Sequence, residues 1–264
     1  EIPAVFNFQG TGYGHGVGLS QIGARGKALA GESAQSILSY YYSGTQILPL
    51  ADNQNVRVNI GHLLTQASIK SGTKESILNV YTGDVGESLT AVPAASLTWK
   101  SAISFVQLGT SISAFIVTGK NSQLLGTNSA WSVRWSGTRY LDGLASTVSL
   151  RVNSKSVKYR YGQIQIKSVK APIIGHRMEV TNTVRIHDEY LYGISEVPSS
   201  WPTQALIAQA IASRSYVLSK LGVPRVACDC NVYNSISDQS FVGFSKEIEP
   251  IYGKLWKEAV QASS

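Results

Sequence analysis

Alternating apolar and polar positions run from Asn55 to about Val169 and predict a series of short strands. Gly, Asn, Ser and Thr residues separate these segments, a pattern typical of an antiparallel, β-rich region. The predicted strands are residues 56–60, 77–81, 102–108, 114–117, 131–135, 148–152 and 159–166. A further strand at 178–186 leads into a turn at Asp188 and Glu189.

A different pattern begins near residue 203, where the chain is rich in Ala, Leu and Ile and meets no helix breaker until Gly222. It predicts a long helix. Ser200 is the predicted N-cap, and Pro202 falls in the first turn, where its missing N–H does no harm. A second helix is predicted over 33–42 with Gly44 as its C-terminal cap, and a last one from 249 to 262, starting near Pro250.

Two charged side chains on or near the long helix could be either structural or functional. Arg214 lies among Ala and Ile two turns inside the helix, so it needs a planar anionic or polar partner. That partner is either a protein carboxylate or a ligand, and from the sequence alone a structural pair or a snorkelling side chain is the favoured interpretation. Glu196 precedes the helix, close to the positive end of its macrodipole, where it could be held at the rim of a cleft; taken alone, a solvated turn carboxylate is the favoured interpretation.

Composition narrows the function classes. The chain has 264 residues, 43% hydrophobic and 15% charged, as expected of a globular protein. No apolar run approaches the roughly 18 residues that a membrane span needs, so we expect no transmembrane segment. The net charge of +7 favours acidic partners. Because the Lys and Arg residues are scattered and not interleaved with aromatic residues, nucleic acid is not an expected partner.

Local chemistry adds three expectations. The glycine-rich segment from Gly10 to Gly18 predicts a loop that approaches a ligand closely. Cys228 and Cys230 are one residue apart, which leaves both a disulfide and free thiols open; a zinc site would need further ligands, and none has clear spacing. We therefore predict neither a metal nor a cofactor. The pair Trp131 and Trp135 shares a strand face, where core packing is the default and a carbohydrate platform the alternative.

Four segments together resemble the stage II sporulation protein D (SpoIID) and amidase-enhancer LytB family. Residues 190–216 read YLYGISEVPSSWPTQALIAQAIASRSY and resemble the family signature. The other three are 159–166 (YRYGQIQI), 238–243 (DQSFVG), and 14–24 (GHGVGLSQIGA) with 37–45 (ILSYYYSGT). The family acts on bacterial peptidoglycan, either as a lytic transglycosylase or as an enhancer of an amidase.

The resemblance implies a set of site residues. Glu196 is the expected catalytic acid/base of a lytic transglycosylase, which cleaves MurNAc–GlcNAc bonds to 1,6-anhydroMurNAc products. One carboxyl suffices because the MurNAc 6-hydroxyl, rather than water, attacks C1; if a second acid exists, Asp188, Glu189 and Asp238 are the candidates, and hydrolysis becomes open. The expected substrate-binding residues are Arg214, Gln209, His15, Ser20, Gln21 and Gln239.

This chain differs from the family pattern in three ways, including the order of its motifs. The glycine-rich motif precedes the catalytic segment, Ile207 stands where the family has Lys, and we expect the C-terminal end of the family domain, beyond Ser264, to be absent. The alternative function is therefore a non-catalytic, wall-binding amidase enhancer with a cell-wall amidase as partner. A β-rich surface adhesin is a third hypothesis. Since the chain opens without Met or a signal peptide, we expect a mature or trimmed, secreted, wall-associated protein.

The predicted fold class is therefore α+β: an antiparallel β-rich region with a few helices, one of them a catalytic helix beside a substrate cleft. The predicted domains are a glycine-rich segment with a helix at 1–50, a β-rich region at 51–155, and a catalytic segment at 156–264 packed against 1–50.

Overall fold

A computed structural model describes residues 18–264 and shows an α+β fold. The helices are α1 (Gln21–Leu29), α2 (Ala34–Tyr41), α3 (Thr203–Ser219) and α4 (Gly253–Ala262). The strands are β1 (Asn55–Leu64), β2 (Gln66–Ser71), β3 (Ile77–Thr82), β4 (Ala95–Thr98), β5 (Ser101–Leu108), β6 (Ser111–Thr118), β7 (Asn121–Asn128), β8 (Ala130–Trp135), β9 (Val148–Val152), β10 (Lys155–Tyr159), β11 (Gln163–Ala171), β12 (Gly175–Arg185) and β13 (Val232–Tyr233). None of the helices in this range is long and apolar enough to cross a bilayer.

The strands form two sheets. The first has seven strands in the order β13-β1-β12-β11-β8-β3-β4, and the second has six in the order β10-β9-β2-β5-β6-β7. Within the described chain, the pairing of β1 with β13 is parallel and the other named pairings are antiparallel. The first sheet joins strands from 51–155 and from 156–264, so it crosses the domain boundary expected at residue 155.

The two sheets share one hydrophobic core in which Trp131 is a central side chain. Trp131 is 1% exposed, its indole N–H donates to the Ile112 carbonyl at 2.9 Å, and its ring packs against Phe105 of the second sheet. Trp135 is also fully buried. Core packing was the default expectation for this pair and is confirmed; a carbohydrate platform is excluded because neither ring reaches the surface.

The predicted strand at 159–166 is two strands separated by a turn. Tyr159 ends β10, and Gln163 begins β11. Between them Gly162 has a φ of +76°, and a Cβ at this position would overlap the backbone carbonyl of Thr183. Only glycine fits there without strain, which is why the continuous strand expected from the alternation is wrong.

The long helix α3 lies against α1 and α2. Ala24, Ile37, Leu38 and Ala208 form a small apolar cluster between these helices. The side-chain carbonyl of Gln204 accepts a 2.8 Å bond from the N–H of Ala34, the first residue of α2. The N-terminal and C-terminal parts of the described chain are thereby joined in one helical layer.

The helix boundaries differ slightly from the prediction. The N-cap of α3 is Pro202, whose carbonyl accepts from the N–H groups of Ala205 and Leu206, so Ser200 is not the cap. The C-cap of α2 is Tyr42 rather than Gly44. The last helix begins at Gly253, a few residues later than predicted.

Candidate active site around Glu196

Glu196 lies in the loop between a 3-10 turn, Leu191–Gly193, and the start of α3. This loop pairs with the DQSF segment: the N–H of Ser195 donates to the Ser240 carbonyl at 2.8 Å, and Ile194 and Phe241 form an antiparallel bridge. Two motifs about 40 residues apart are therefore fixed side by side.

Both oxygens of the Glu196 carboxylate have donors. The backbone N–H of Ser240 donates to Oε1 at 2.5 Å, and the side-chain amide of Gln21 reaches Oε2 at 3.5 Å. Gln21 is the first residue of α1. The structure thus brings the predicted catalytic residue and one predicted substrate residue together across 175 positions of sequence.

Stacked aromatic rings pack against the paired Glu196 loop and DQSF segment. Phe241 lies between Tyr190 and Tyr159, with ring centroids 5.4 and 6.3 Å away, respectively. The Tyr190 hydroxyl donates to the side-chain carbonyl of Gln239 at 2.9 Å. Burial, then the negative charges of Asp238 and Glu196, raise the pKa of Tyr190 well above its ordinary value, so its hydroxyl stays a donor.

Gln239 therefore has a structural partner. Gln239 is 6% exposed, whereas a residue that contacts sugar directly would be expected to reach the surface of the groove. A role as a direct sugar contact would require it to leave Tyr190, and its assignment as a substrate residue stays a prediction.

An open groove of about 740 Å³ runs past Glu196 and is called the Glu196 groove here. Its lining residues are Ser195, Glu196, Val197, Pro198, Val242, Ser245, Lys246, Ile248, Glu249 and Pro250. Apolar walls around a few polar groups are typical of ligand sites.

Lys246 and Glu249 are polar residues of this groove that the sequence analysis missed. Lys246 is 4% exposed, and its ammonium donates to the Val197 carbonyl at 2.8 Å. Burial lowers the pKa of Lys246, while nearby Glu249 opposes the shift. Glu249 accepts a 2.6 Å bond from the Ser199 hydroxyl. Lys246 thus holds the backbone next to Glu196, and Glu249 is a second carboxylate in the groove lining. No motif marks either residue.

The three carboxylates proposed as a second acid all have arginine partners. Asp188 binds the Arg185 guanidinium, with one bond of 2.7 Å, and Glu189 lies 3.3 Å from Arg139. Burial raises the pKa of Glu189. Neither residue belongs to the lining of the Glu196 groove.

Asp238 is the third of these carboxylates and forms the centre of a polar network. It accepts two bonds of 2.8 Å from Arg225, one of 2.7 Å from the Tyr216 hydroxyl, and one from the Tyr233 N–H. Burial alone would raise the pKa of Asp238, but these donors outweigh burial and lower it. Burial and the bond to Asp238 raise the pKa of Tyr216 to about 12. Asp238 is therefore a fixed anion rather than a proton donor.

Arg214 and Gln209 both have protein partners. Arg214 is 8% exposed; its Nε donates to Asp52 at 2.7 Å, and one terminal nitrogen donates to the Ser263 carbonyl at 2.7 Å. Gln209 is 7% exposed and donates to Ser213, one turn further along α3, at 3.1 Å. The anionic partner expected for Arg214 is thus a protein carboxylate. Their roles as substrate contacts stay predictions.

The remaining predicted residues fall near the start of the described chain. Ser20 is exposed and caps α1, accepting from the Gly23 N–H at 3.2 Å. His15 lies outside the described residues. Within residues 18–264, no three His, Cys, Asp or Glu side chains converge as a metal site requires. Cys228 and Cys230 are joined by a disulfide, which resolves the alternatives left open by their spacing.

Comparison with known proteins gives partial but consistent matches. A family model described as "Stage II sporulation protein" (SpoIID) matches residues 175–264. The chain is 52% identical over 42 residues to the amidase enhancer of Bacillus subtilis (strain 168), which is 16% of this chain and 6% of that protein. It is 56% identical over 36 residues to Stage II sporulation protein D of the same organism, 14% of this chain and 10% of that protein.

These matches cover only a small part of each relative, and no solved structure matches the chain significantly. The region matched by the family model contains the Glu196 loop, helix α3 and the DQSF segment, which the structure brings together around one carboxylate. Residues 175–264 of this chain are therefore similar to the SpoIID family.

Proposed function

We propose that this protein is a lytic transglycosylase of bacterial peptidoglycan and that Glu196 is its single acid/base. The observation that carries the proposal is the environment of the Glu196 carboxylate. It faces an open groove large enough for a sugar chain, and the Ser240 N–H and Gln21 hold its two oxygens.

The chemistry follows from one carboxyl group acting twice. Protonated Glu196 gives its proton to the oxygen of the MurNAc–GlcNAc bond as that bond breaks. The resulting carboxylate then takes the proton of the MurNAc 6-hydroxyl as this oxygen closes on C1. The products are a 1,6-anhydro end and a free GlcNAc hydroxyl, Glu196 is protonated again, and no water is consumed.

The geometry of the other carboxylates supports this single-acid scheme. Inverting and retaining glycosidases need two carboxyl groups at a set separation across the scissile bond. Asp188, Glu189 and Asp238 each form an ion pair with an arginine, and none of them lines the groove. In the described lining Glu249 is the second carboxylate, and Ser199 and Lys246 are its partners.

The test is mass spectrometry of peptidoglycan, with and without stem peptides, after incubation with the native protein, Glu196→Gln or Glu249→Gln. The proposal predicts anhydro-muropeptides from the native protein and from Glu249→Gln, and none from Glu196→Gln. Equal product from native protein and Glu196→Gln would refute the role of Glu196.

The second candidate is a wall-binding amidase enhancer without its own activity. Two observations favour it: one relative carries that name, and Arg214 and Gln209 are engaged by protein groups. It predicts no products from any variant, while the protein still sediments with walls and stimulates an added cell-wall amidase.

A further inference from the structure

The outer face of the six-stranded sheet carries an exposed row of cations. Lys70 on β2, Arg151 on β9 and Lys158 on β10 are all exposed. Their chain neighbours Ile69 and Leu150 are 0% and 2% exposed and face the core. Because side chains alternate between the two faces of a strand, the three cations share the face that points away from the core.

The strand register places hydroxyl groups between these cations. Across the three strands, one row reads Lys158, Ser149, Lys70 and the next reads Ser156, Arg151, Ser68. Adjacent strands are about 4.8 Å apart, so the two lysine backbones are separated by about 10 Å with the arginine offset between them. The result is a flat, alternating array of positive charges and hydrogen-bonding hydroxyls, called the basic face here.

Within its six strands, the sheet has no acidic residue to balance this charge. The six strands of the sheet contain four basic residues, namely Lys70, Arg151, Lys155 and Lys158, and neither Asp nor Glu. Among the described residues, none of the three cations of the basic face forms an ion pair. By contrast, Arg57 and Lys167 on the first sheet share the carboxylate of Asp229. Unpaired cations on one face create a positive potential that attracts an extended anion.

The sheet that carries the basic face reaches the Glu196 groove at one of its edges. Its outermost strand, β10, contacts the 3-10 turn Gly243–Ser245, and Ser245 lines the groove. The approach is so close that a Cβ on Gly243 would lie 2.7 Å from the Lys158 carbonyl oxygen. A polymer that extends to the β10 edge of the basic face would therefore lie near the groove.

We propose that the basic face binds a linear polyol-phosphate polymer of the cell wall, with phosphates on the cations and polyol hydroxyls on the serines. The alternation of charge and hydroxyl favours this chemistry. Membrane binding relies on large apolar side chains that enter the lipid, and single-stranded nucleic acid relies on aromatic stacking. In these two rows, every residue other than the three cations is a serine, so neither large apolar nor aromatic side chains are present there.

The experiment measures sedimentation of the protein with Gram-positive walls that retain their phosphate polymer, and with the same walls after hydrofluoric acid extraction. The test variant is Lys70→Gln/Arg151→Gln/Lys158→Gln. The control, Lys170→Gln/Lys220→Gln/Lys254→Gln, removes the same charge from exposed lysines outside the six strands. Phosphatidylglycerol vesicles and a thymidine oligonucleotide are parallel probes, and thermal unfolding confirms that each variant folds.

At about fivefold per cation near an anionic surface, the test variant is expected to bind intact walls about 100-fold more weakly than the native protein. The control should keep the native affinity, and extraction should abolish the difference between the three proteins. Equal weakening in test variant and control would overturn the proposal, because net charge alone would then explain binding. Tighter binding to vesicles or oligonucleotide than to intact walls would overturn it as well. Neither result depends on whether Glu196 is catalytic.

Discussion

Disrupting the buried ion pair between Arg214 and Asp52 tests whether Arg214 stabilises the fold or binds substrate. Asp52, just before β1, is 7% exposed and accepts from Arg214 at 2.7 Å and from the His187 ring at 2.8 Å. The pair therefore ties α3 to the chain before β1 and to the turn that precedes Glu196. We expect Asp52→Asn to destabilise the fold because it leaves the buried Arg214 charge without an anionic partner, with only the neutral oxygens of Ser263, Val260 and the new amide near it.

Removing one member of a buried ion pair costs about 3–5 kcal/mol. For a chain of this size, each kcal/mol shifts the melting temperature by about 2–4 °C, so Asp52→Asn should lower it by about 10 °C. Arg214→Gln should cost less than Asp52→Asn, because the carboxylate keeps His187 as a partner. The double variant should cost less than the sum of the single variants.

The assay is thermal and urea unfolding of the two single variants and the double variant. Arg185→Gln is the matched control, since its pair with Asp188 is partly exposed and should contribute less than about 1 kcal/mol. The reasoning would be refuted if Arg214→Gln unfolded like the native protein but lost substrate binding. Arg214 would then serve the ligand rather than the fold.

Three further predictions concern the rest of the fold. Because the pKa of Asp238 is lowered in the folded state, its contribution to stability is complete above the ordinary value of 3.8 and is lost as pH falls through the lower folded value. Asp238→Asn should therefore reduce the free energy of unfolding at pH 7 and flatten its decline in acid. Urea titrations between pH 7 and pH 2 measure both effects. Reduction of the Cys228–Cys230 disulfide should cost only about 1–2 kcal/mol, because its ring is short and little chain entropy is restored; urea unfolding with and without reductant measures this, and a loss above about 4 kcal/mol would contradict the entropy argument. Trp131→Ala should cost about 3–5 kcal/mol by opening a cavity between the sheets, and calorimetry showing a native melting temperature would contradict the core assignment.

Much of the sheet could be predicted because burial alternates along its central strands. In β5, Ile103 and Phe105 are fully buried while Ser104 is not, so the sequence shows the period of two directly. Strand β7 was missed because it is an edge strand whose first four residues are exposed and mostly polar. Helix α1 was missed for a similar reason: it buries little besides Ala24.

The site was predictable only where the chemistry is local in sequence. Glu196 could be assigned from the motif that contains it, but no spacing rule predicts that Gln21 meets it from another helix. Lys246 and Glu249 carry no signature, and they line the groove only because the chain turns back between the DQSF segment and α4. The Asp52 partner of Arg214 likewise depends on tertiary packing. Arginine inside an apolar helix predicts a partner but does not identify it.

The most direct test of a single-carboxylate mechanism is to digest peptidoglycan in water enriched in oxygen-18 and analyse the new ends by mass spectrometry. If Glu196 directs the 6-hydroxyl to C1, the native protein should yield 1,6-anhydro ends without the heavy isotope, and Glu196→Gln should yield none. Reducing ends that carry oxygen-18 would contradict the account, because water would then be the nucleophile and a second carboxylate, with Glu249 the first candidate, would have to activate it.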